Sequence, residues 1–178
     1  HFGRKPEEGD FHIALTGTAD YIPHMGVVAL TVHAHNRDMP ICYHFFVNHL
    51  EDVERKRLEK AAEIMDSPLE VHLIDDSAFR TLLLSDAVAA FFYRFLVAPA
   101  IAPVADRVLY LDGDMMCRGS LKYLRDLDFQ GNDVAVVSDR KEELQMKRVH
   151  TKRYFNAGMM LINVKQWMEE NRFDEIVH

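Results

Sequence analysis

Short apolar runs alternate along the chain with longer stretches of helical periodicity. After a polar leader, FHIALT (residues 11–16) is apolar and closed by Gly17, which predicts a first strand. The stretch YIPHMGVVALTVHAHN predicts a helix, with Pro23 in its first turn, where a missing N–H costs nothing. ICYHFFV (41–47) is rich in β-branched and aromatic residues and predicts a second strand. Within residues 51–65, Leu58, Ala61, Ala62 and Met65 recur at helical spacing with charges between them, predicting a surface helix with one buried stripe. LEVHLID (69–75) predicts a third strand. Residues 85–101 predict a helix that is apolar almost all round, with Ser85 as its N-cap and Pro99 beyond its end. RVLYLD and DVAVVSD predict two further strands, and YFNAGMMLINVKQWMEENRF a strand that passes into a helix near Val164.

Strands alternating with helices imply an α/β fold, a mainly parallel twisted sheet with helices on both faces. Neither a repeat nor a linker interrupts the pattern, so residues 1–178 are expected to form a single domain. A hydrophobic fraction of 48% supports a sizeable core. The formal charge of -7 argues against a nucleic-acid partner, because phosphate backbones attract basic patches. The two cysteines, Cys42 and Cys117, are too few for a disulfide scaffold and lack zinc-ligand spacing. They are expected to be core thiols in a reducing, cytoplasmic compartment. No apolar stretch has the length needed to span a bilayer. The amino terminus lacks both a signal-peptide core and an initiator Met, so the chain is expected to be a fragment. The spacing of His33, His35, His44 and His49 matches no metal set, and core or solvated histidines are the expectation.

In parallel sheets ligands gather at the carboxyl ends of strands, and Asp112, Asp114 and Asp139 all fall at predicted strand ends. If the chain stays extended from Asp112 to Asp114, both side chains share one face and meet one cation. Two oxygen donors suit Mg²⁺, Mn²⁺ or Ca²⁺ rather than zinc. Gly113 between them allows close approach of a ligand or another backbone. The same spacing also fits an acidic turn closing a strand. A third fit is a haloacid-dehalogenase-like phosphatase, whose first Asp is a phosphoryl-accepting nucleophile.

YRFLVAPAIAPVADRVLYLDGDMMCRGSLKYL (93–124), followed by YFNAGMMLINVKQW (154–167), resembles glycosyltransferase family 8. That family includes the bacterial lipopolysaccharide galactosyl- and glucosyltransferases and glycogenin, and the likeness extends more weakly over the chain from Phe11 onward. The resemblance implies the GT-A fold of nucleotide-diphospho-sugar transferases. It also implies retaining transfer of glucose or galactose from a UDP-sugar to a hydroxyl of a lipopolysaccharide, another glycan or a lipid-linked acceptor. Asp112 and Asp114 match the family's metal-binding D-x-D, with Gly113 between them, where manganese (Mn²⁺) or Mg²⁺ bridges the diphosphate.

Arg94 matches the arginine beside the donor sugar and phosphates. Its isolation among apolar residues also fits a buried salt bridge to a carboxylate such as Asp112. Asn156, Ala157 and Gly158 match the family's N-A-G at the donor sugar. At the first strand end, with Thr16, Tyr21 matches the tyrosine that stacks on uracil, while Thr18 stands where lipopolysaccharide members carry an Asp. Asp139 matches a family Asp on the sugar and acceptor side, and a helix N-cap fits it as well. The charged segment 140–153 is expected to be a solvated loop. Beyond N-A-G the family carries a further acidic and amide motif, a His that ligates the metal, and a basic segment. These are expected to be missing from this chain, which leaves a non-catalytic nucleotide-sugar-binding fragment as an alternative. Peripheral membrane association through that missing segment, and a homo-oligomer, are left open.

Overall fold

The computed structural model describes residues 1–77, 90–139, 146–148 and 154–172. Six strands form one sheet: β1 (Phe11–Thr16), β2 (Ile41–Val47), β3 (Leu69–Leu73), β4 (Arg107–Asp112), β5 (Val134–Ser138) and β6 (Phe155–Asn163), in spatial order β3-β2-β1-β4-β6-β5. β1 pairs in parallel with β2 and β4, and β2 with β3; β6 runs antiparallel to both β4 and β5. The sheet is therefore mainly parallel, as the sequence pattern implies.

Alternation along the strands divides the core in two. Ile13, Leu15, Tyr43, Phe45, Leu109 and Leu111 face the helices α1 (Ile22–His35) and α2 (Asp52–Met65). The intervening Ala14, Phe46, Val108 and Tyr110 face the short helices Val97–Ile101 and Val164–Glu169. The stripe of α2 is buried at Leu58, Ala61, Ala62 and Met65. Burial of Leu58 alone contributes about 1.5–3 kcal/mol.

Three expectations are corrected. The helix expected over residues 85–101 is not continuous among the described residues: Tyr93–Leu96 is a 3₁₀ turn, and an α-helix begins at Val97. Pro99 consequently lies in the first turn of Val97–Ile101 rather than beyond a helix end, a position proline tolerates. Ser85 lies outside the described residues, as does most of segment 140–153. Cys42 is a core thiol, but Cys117 is only half-buried, its Sγ 3.1 Å from the Gly119 carbonyl. The leader is anchored, because Phe2 is buried and forms an antiparallel bridge to Leu69 on β3.

The sheet order fixes where a ligand can sit. From β1 the chain steps outward to β2 and β3, then returns to place β4 on the opposite side of β1. The connections thus diverge between β1 and β4. At such a switch point a crevice opens at the carboxyl ends of the strands.

Candidate active site

Thr16 closes β1 and Asp112 closes β4, and the two are register partners across that switch point. Above them lies a cleft of about 210 Å³. Its walls are Thr16, Gly17, Thr18 and Tyr21 from the β1 end, Tyr110, Asp112, Gly113 and Asp114 from the β4 end, and Ala90, Phe91 and Arg94 from the third side. β4 ends at Asp112, and Gly113 and Asp114 form a turn. The extended backbone expected from Asp112 to Asp114 is therefore absent. The turn nevertheless leaves both carboxylates on the cleft wall, with Asp112 half-buried and Asp114 exposed.

Arg94 comes from the 3₁₀ turn, and its side chain is 11% exposed. Nε donates to the Phe91 carbonyl at 3.0 Å and Nη1 to the Ala157 carbonyl at 3.0 Å. Nη2 lies 3.4 Å from Asp112 Oδ1. The ion pair and the cleft position are thus compatible for one side chain. The planar fork joins β4 to the start of β6 while leaving the guanidinium on the cleft wall.

The N-A-G segment reaches the same place by strand pairing. β6 is antiparallel to β4 with Met159 opposite Leu111, which brings Gly158 beside Asp112. A Cβ at Gly158 would lie 2.8 Å from Asp112 Oδ2 and 2.9 Å from Asn156 Oδ1, closer than real Cβ contacts allow. Asn156 Oδ1 instead accepts the Gly158 N–H at 2.8 Å.

The base of the cleft holds a residue that sequence reasoning missed. Tyr110 is 1% exposed, and its hydroxyl donates to Asp112 Oδ1 at 2.5 Å and lies 3.2 Å from Thr16 Oγ1. The Arg94 guanidinium sits 5.2 Å above its ring. Burial, more than any neighbouring charge, pushes the Tyr110 phenol above its ordinary pKa, so it keeps its proton and remains a donor. The available signal was the strand period of two, which puts position 110 on the face of position 112. Tyr21 shows a second missed device. Its ring packs where side chains at Gly17 and Gly113 would otherwise stand, with a Cβ at Gly113 falling 3.1 Å from Tyr21 Cδ1.

Asp139 does not join this wall. It follows β5, and β6 lies between β5 and β4. Thr16, Thr18, Tyr21, Arg94, Asp112, Gly113 and Asp114 line the cleft together, and Asn156, Ala157 and Gly158 flank it through Arg94 and Asp112.

The charges on the wall decide what the cleft can accept. Arg94 offsets one carboxylate, and the second leaves an excess negative charge facing solvent. A diphosphate placed there would be repelled unless a cation lay between the anions. Asp112 and Asp114 offer hard oxygen donors, and phosphate oxygens and water would fill the rest of an octahedral shell. The donor set thus fits Mn²⁺ or Mg²⁺ better than a soft metal.

Residues 12–178 match the family described as Glycosyl transferase family 8. The chain belongs to glycosyltransferase family 8. It is 30% identical over 180 residues to the lipopolysaccharide 1,3-galactosyltransferase of Salmonella typhimurium, covering 96% of this chain and 53% of that protein. With the lipopolysaccharide glucosyltransferase WaaO of Escherichia coli K12 it shares 30% identity over 151 residues, covering 80% of this chain and 44% of that protein. The galactosyltransferase LgtC, solved with donor and acceptor sugar analogues, superposes with a TM-score of 0.76 at 24% identity, over 88% of this chain and 59% of that one. The GT-A fold is thereby shown. The chain spans about half the length of the curated relatives it matches. With family membership the phosphatase reading falls away. No described helix is long and apolar enough to cross a membrane.

Proposed function

We propose that the chain forms the nucleotide-sugar-binding part of a retaining hexosyltransferase that moves glucose or galactose from a UDP-sugar to an acceptor hydroxyl. The acceptor is a lipopolysaccharide or another glycan, by analogy with the named relatives. One observation carries the reading: Asp112, Asp114, Arg94 and the N-A-G segment, distant in sequence, converge on one cleft at the switch point.

Asp112 and Asp114 hold a divalent ion, which when bound supplies Lewis-acid stabilisation of negative charge on the departing diphosphate. Arg94 adds a fixed planar cation on the same side, held by the Phe91 and Ala157 carbonyls and therefore costing no reorganisation. The protonated Tyr110 hydroxyl, together with Arg94, fixes the orientation of the Asp112 carboxylate. Tyr21, 42% exposed at the cleft rim, offers its ring to the uracil base, with Thr16 and Thr18 beside it. Asn156 and the backbone at Ala157 and Gly158 lie against the donor sugar. Asp139 serves the acceptor side. In the reaction the bond from the anomeric carbon to the UDP oxygen breaks, one to the acceptor oxygen forms, and the acceptor proton is released.

Sugar release from UDP-glucose and UDP-galactose, followed with Mn²⁺ and an acceptor glycan, tests the reading. Product of retained anomeric configuration, absent with Asp114→Asn, is the expected result. Binding of the UDP-sugar without any transfer or hydrolysis would overturn it.

A further inference from the structure

On the other side of β1 from the cleft, towards the amino-terminal ends of the strands, three metal-ligating side chains meet in the core. His12 on β1 and Cys42 on β2 are register partners, and His44 lies two residues along β2 on the same face. His12 Nδ1 lies 2.8 Å from His44 Nε2, and Cys42 Sγ lies 3.4 Å from that same nitrogen. All three donor atoms fall within 4.8 Å of one another, and the residues are 6%, 0% and 3% exposed. The other nitrogen of His44, Nδ1, is 3.0 Å from Nε2 of His72 on β3.

A neutral chain of hydrogen bonds explains part of this arrangement. His12 Nδ1–H can donate to His44 Nε2, whose Nδ1–H in turn donates to His72. The sulfur is left over. In that tautomer the single in-plane lone pair of His44 Nε2 is taken by His12, so the Cys42 thiol 3.4 Å away has no straight acceptor there. A cation takes a lone pair from each of the three groups at once.

From this geometry we propose that His12, Cys42 and His44 form a second, structural metal site for a borderline-soft divalent ion, Zn²⁺ foremost. Two imidazoles and a thiolate are ligands of that class and not of the hard ions suited to the carboxylate cleft. His72 would hold the ring and tautomer of His44 from behind, as outer-shell partners of metal-bound histidines do. The distances are near those required. Zn–N bonds of about 2.0–2.1 Å and a Zn–S bond of about 2.3 Å place tetrahedral N···N and N···S edges at about 3.3 and 3.5 Å. The sulfur edge already has that length, and the nitrogen edge needs to open by about half an ångström.

Protonation states agree with this chemistry. Burial holds the three imidazoles towards the neutral form that coordinates metals, and it pushes the Cys42 thiol up to about 12, so the ion must displace that proton on binding. The thiolate cancels one of the ion's charges. Asp10, buried just before β1, exerts its field on both His12 and Cys42. The site would tie β1 to β2 at the end of the sheet away from the cleft. Sequence spacing gave no sign of it, since the ligands come from two strands and meet only through their register.

Titration of the purified chain with Co²⁺ tests the proposal, because only a thiolate-bound cobalt gives a sulfur-to-metal charge-transfer band. The expected result is a charge-transfer band and intense tetrahedral visible bands that saturate at one equivalent of Co²⁺, with loss of both on adding Zn²⁺. Cys117→Ser and Asp114→Asn should keep the bands, which separates this site from the other cysteine and from the proposed donor site. Cys42→Ala should lose them while retaining its far-ultraviolet circular dichroism. A folded wild-type chain showing only the weak bands of six-coordinate cobalt would overturn the proposal, whatever the variants do. So would a charge-transfer band that persists in Cys42→Ala.

Discussion

The Tyr110 hydroxyl donates a 2.5 Å hydrogen bond to Asp112 Oδ1, two residues further along β4 and on the same face of the sheet. The bond is charge-assisted and largely withdrawn from solvent, with the Arg94 guanidinium covering the Tyr110 ring. Asp112 is thereby held before any ligand arrives. Tyr110→Phe keeps the ring and removes the donor. A hydrogen bond to a charged group is worth about 1.5–3 kcal/mol, so Mn²⁺-supported UDP affinity should fall by roughly 10- to 100-fold, as read by calorimetry. Unchanged affinity would show that Arg94 alone suffices to fix the carboxylate.

Arg94→Lys preserves the charge and loses the fork that bonds the Phe91 and Ala157 carbonyls. Transfer should drop by about 100-fold, the usual cost of losing one preorganised donor, while the melting temperature moves by less than about 5 °C. A large fall in melting temperature with transfer preserved would mean that the Arg94–Asp112 pair serves only the fold.

Gly158→Ala tests the close approach of β6 to β4. The added methyl would stand 2.8 Å from Asp112 Oδ2, so either the carboxylate or the strand must shift. UDP affinity in Mn²⁺ should weaken by at least about tenfold, or roughly 1.4 kcal/mol, and a double variant with Asp112→Asn should lose little more. Additive losses would place the effect of Gly158 elsewhere.

The pattern of apolar residues was enough to locate the strands, most plainly β1, β2 and β4, which are buried on both faces and read as continuous apolar runs. It also pointed to the cleft, since Asp112 closes such a run and the surrounding residues carry a family's signature. The register of neighbours was not legible. Tyr110 stood in the predicted strand RVLYLD without a role of its own, and the role it has depends on Asp112 lying at the cleft and Thr16 lying across from it. Asp114 leaves the strand face because the chain turns at Gly113, which a period of two does not encode. The break in the helix before Val97 depends on tertiary packing around the buried Tyr93, where Asp76 accepts the phenol's hydrogen bond at 2.5 Å. His12, Cys42 and His44 are likewise joined only by pairing of β1 with β2.

The buried histidines predict how stability responds to acid in the metal-free chain. Burial lowers the pKa of His12, His44 and His72, with Asp10 opposing the shift at His12 and Glu70 opposing it at His72. The unfolded chain, with imidazoles near their ordinary value of about 6.5, then binds more protons than the folded one as pH falls below that value. Stability is full above about pH 6.5 and declines towards the lower folded values. With chelator present, melting temperature should fall between about pH 7.5 and 5.5, and less so in His44→Gln. An identical decline in that variant would assign the effect to other groups.

On the proposed function, the donor cleft accepts a diphosphate only with a cation between it and the two carboxylates. Calorimetric titration of UDP into the chain with Mn²⁺, and again with chelator, measures this directly. Binding should be detected with Mn²⁺, be lost with chelator, and be weakened strongly by Asp112→Asn and by Asp114→Asn in proteins that remain folded. Equal UDP affinity with and without the ion would contradict the metal role of both aspartates.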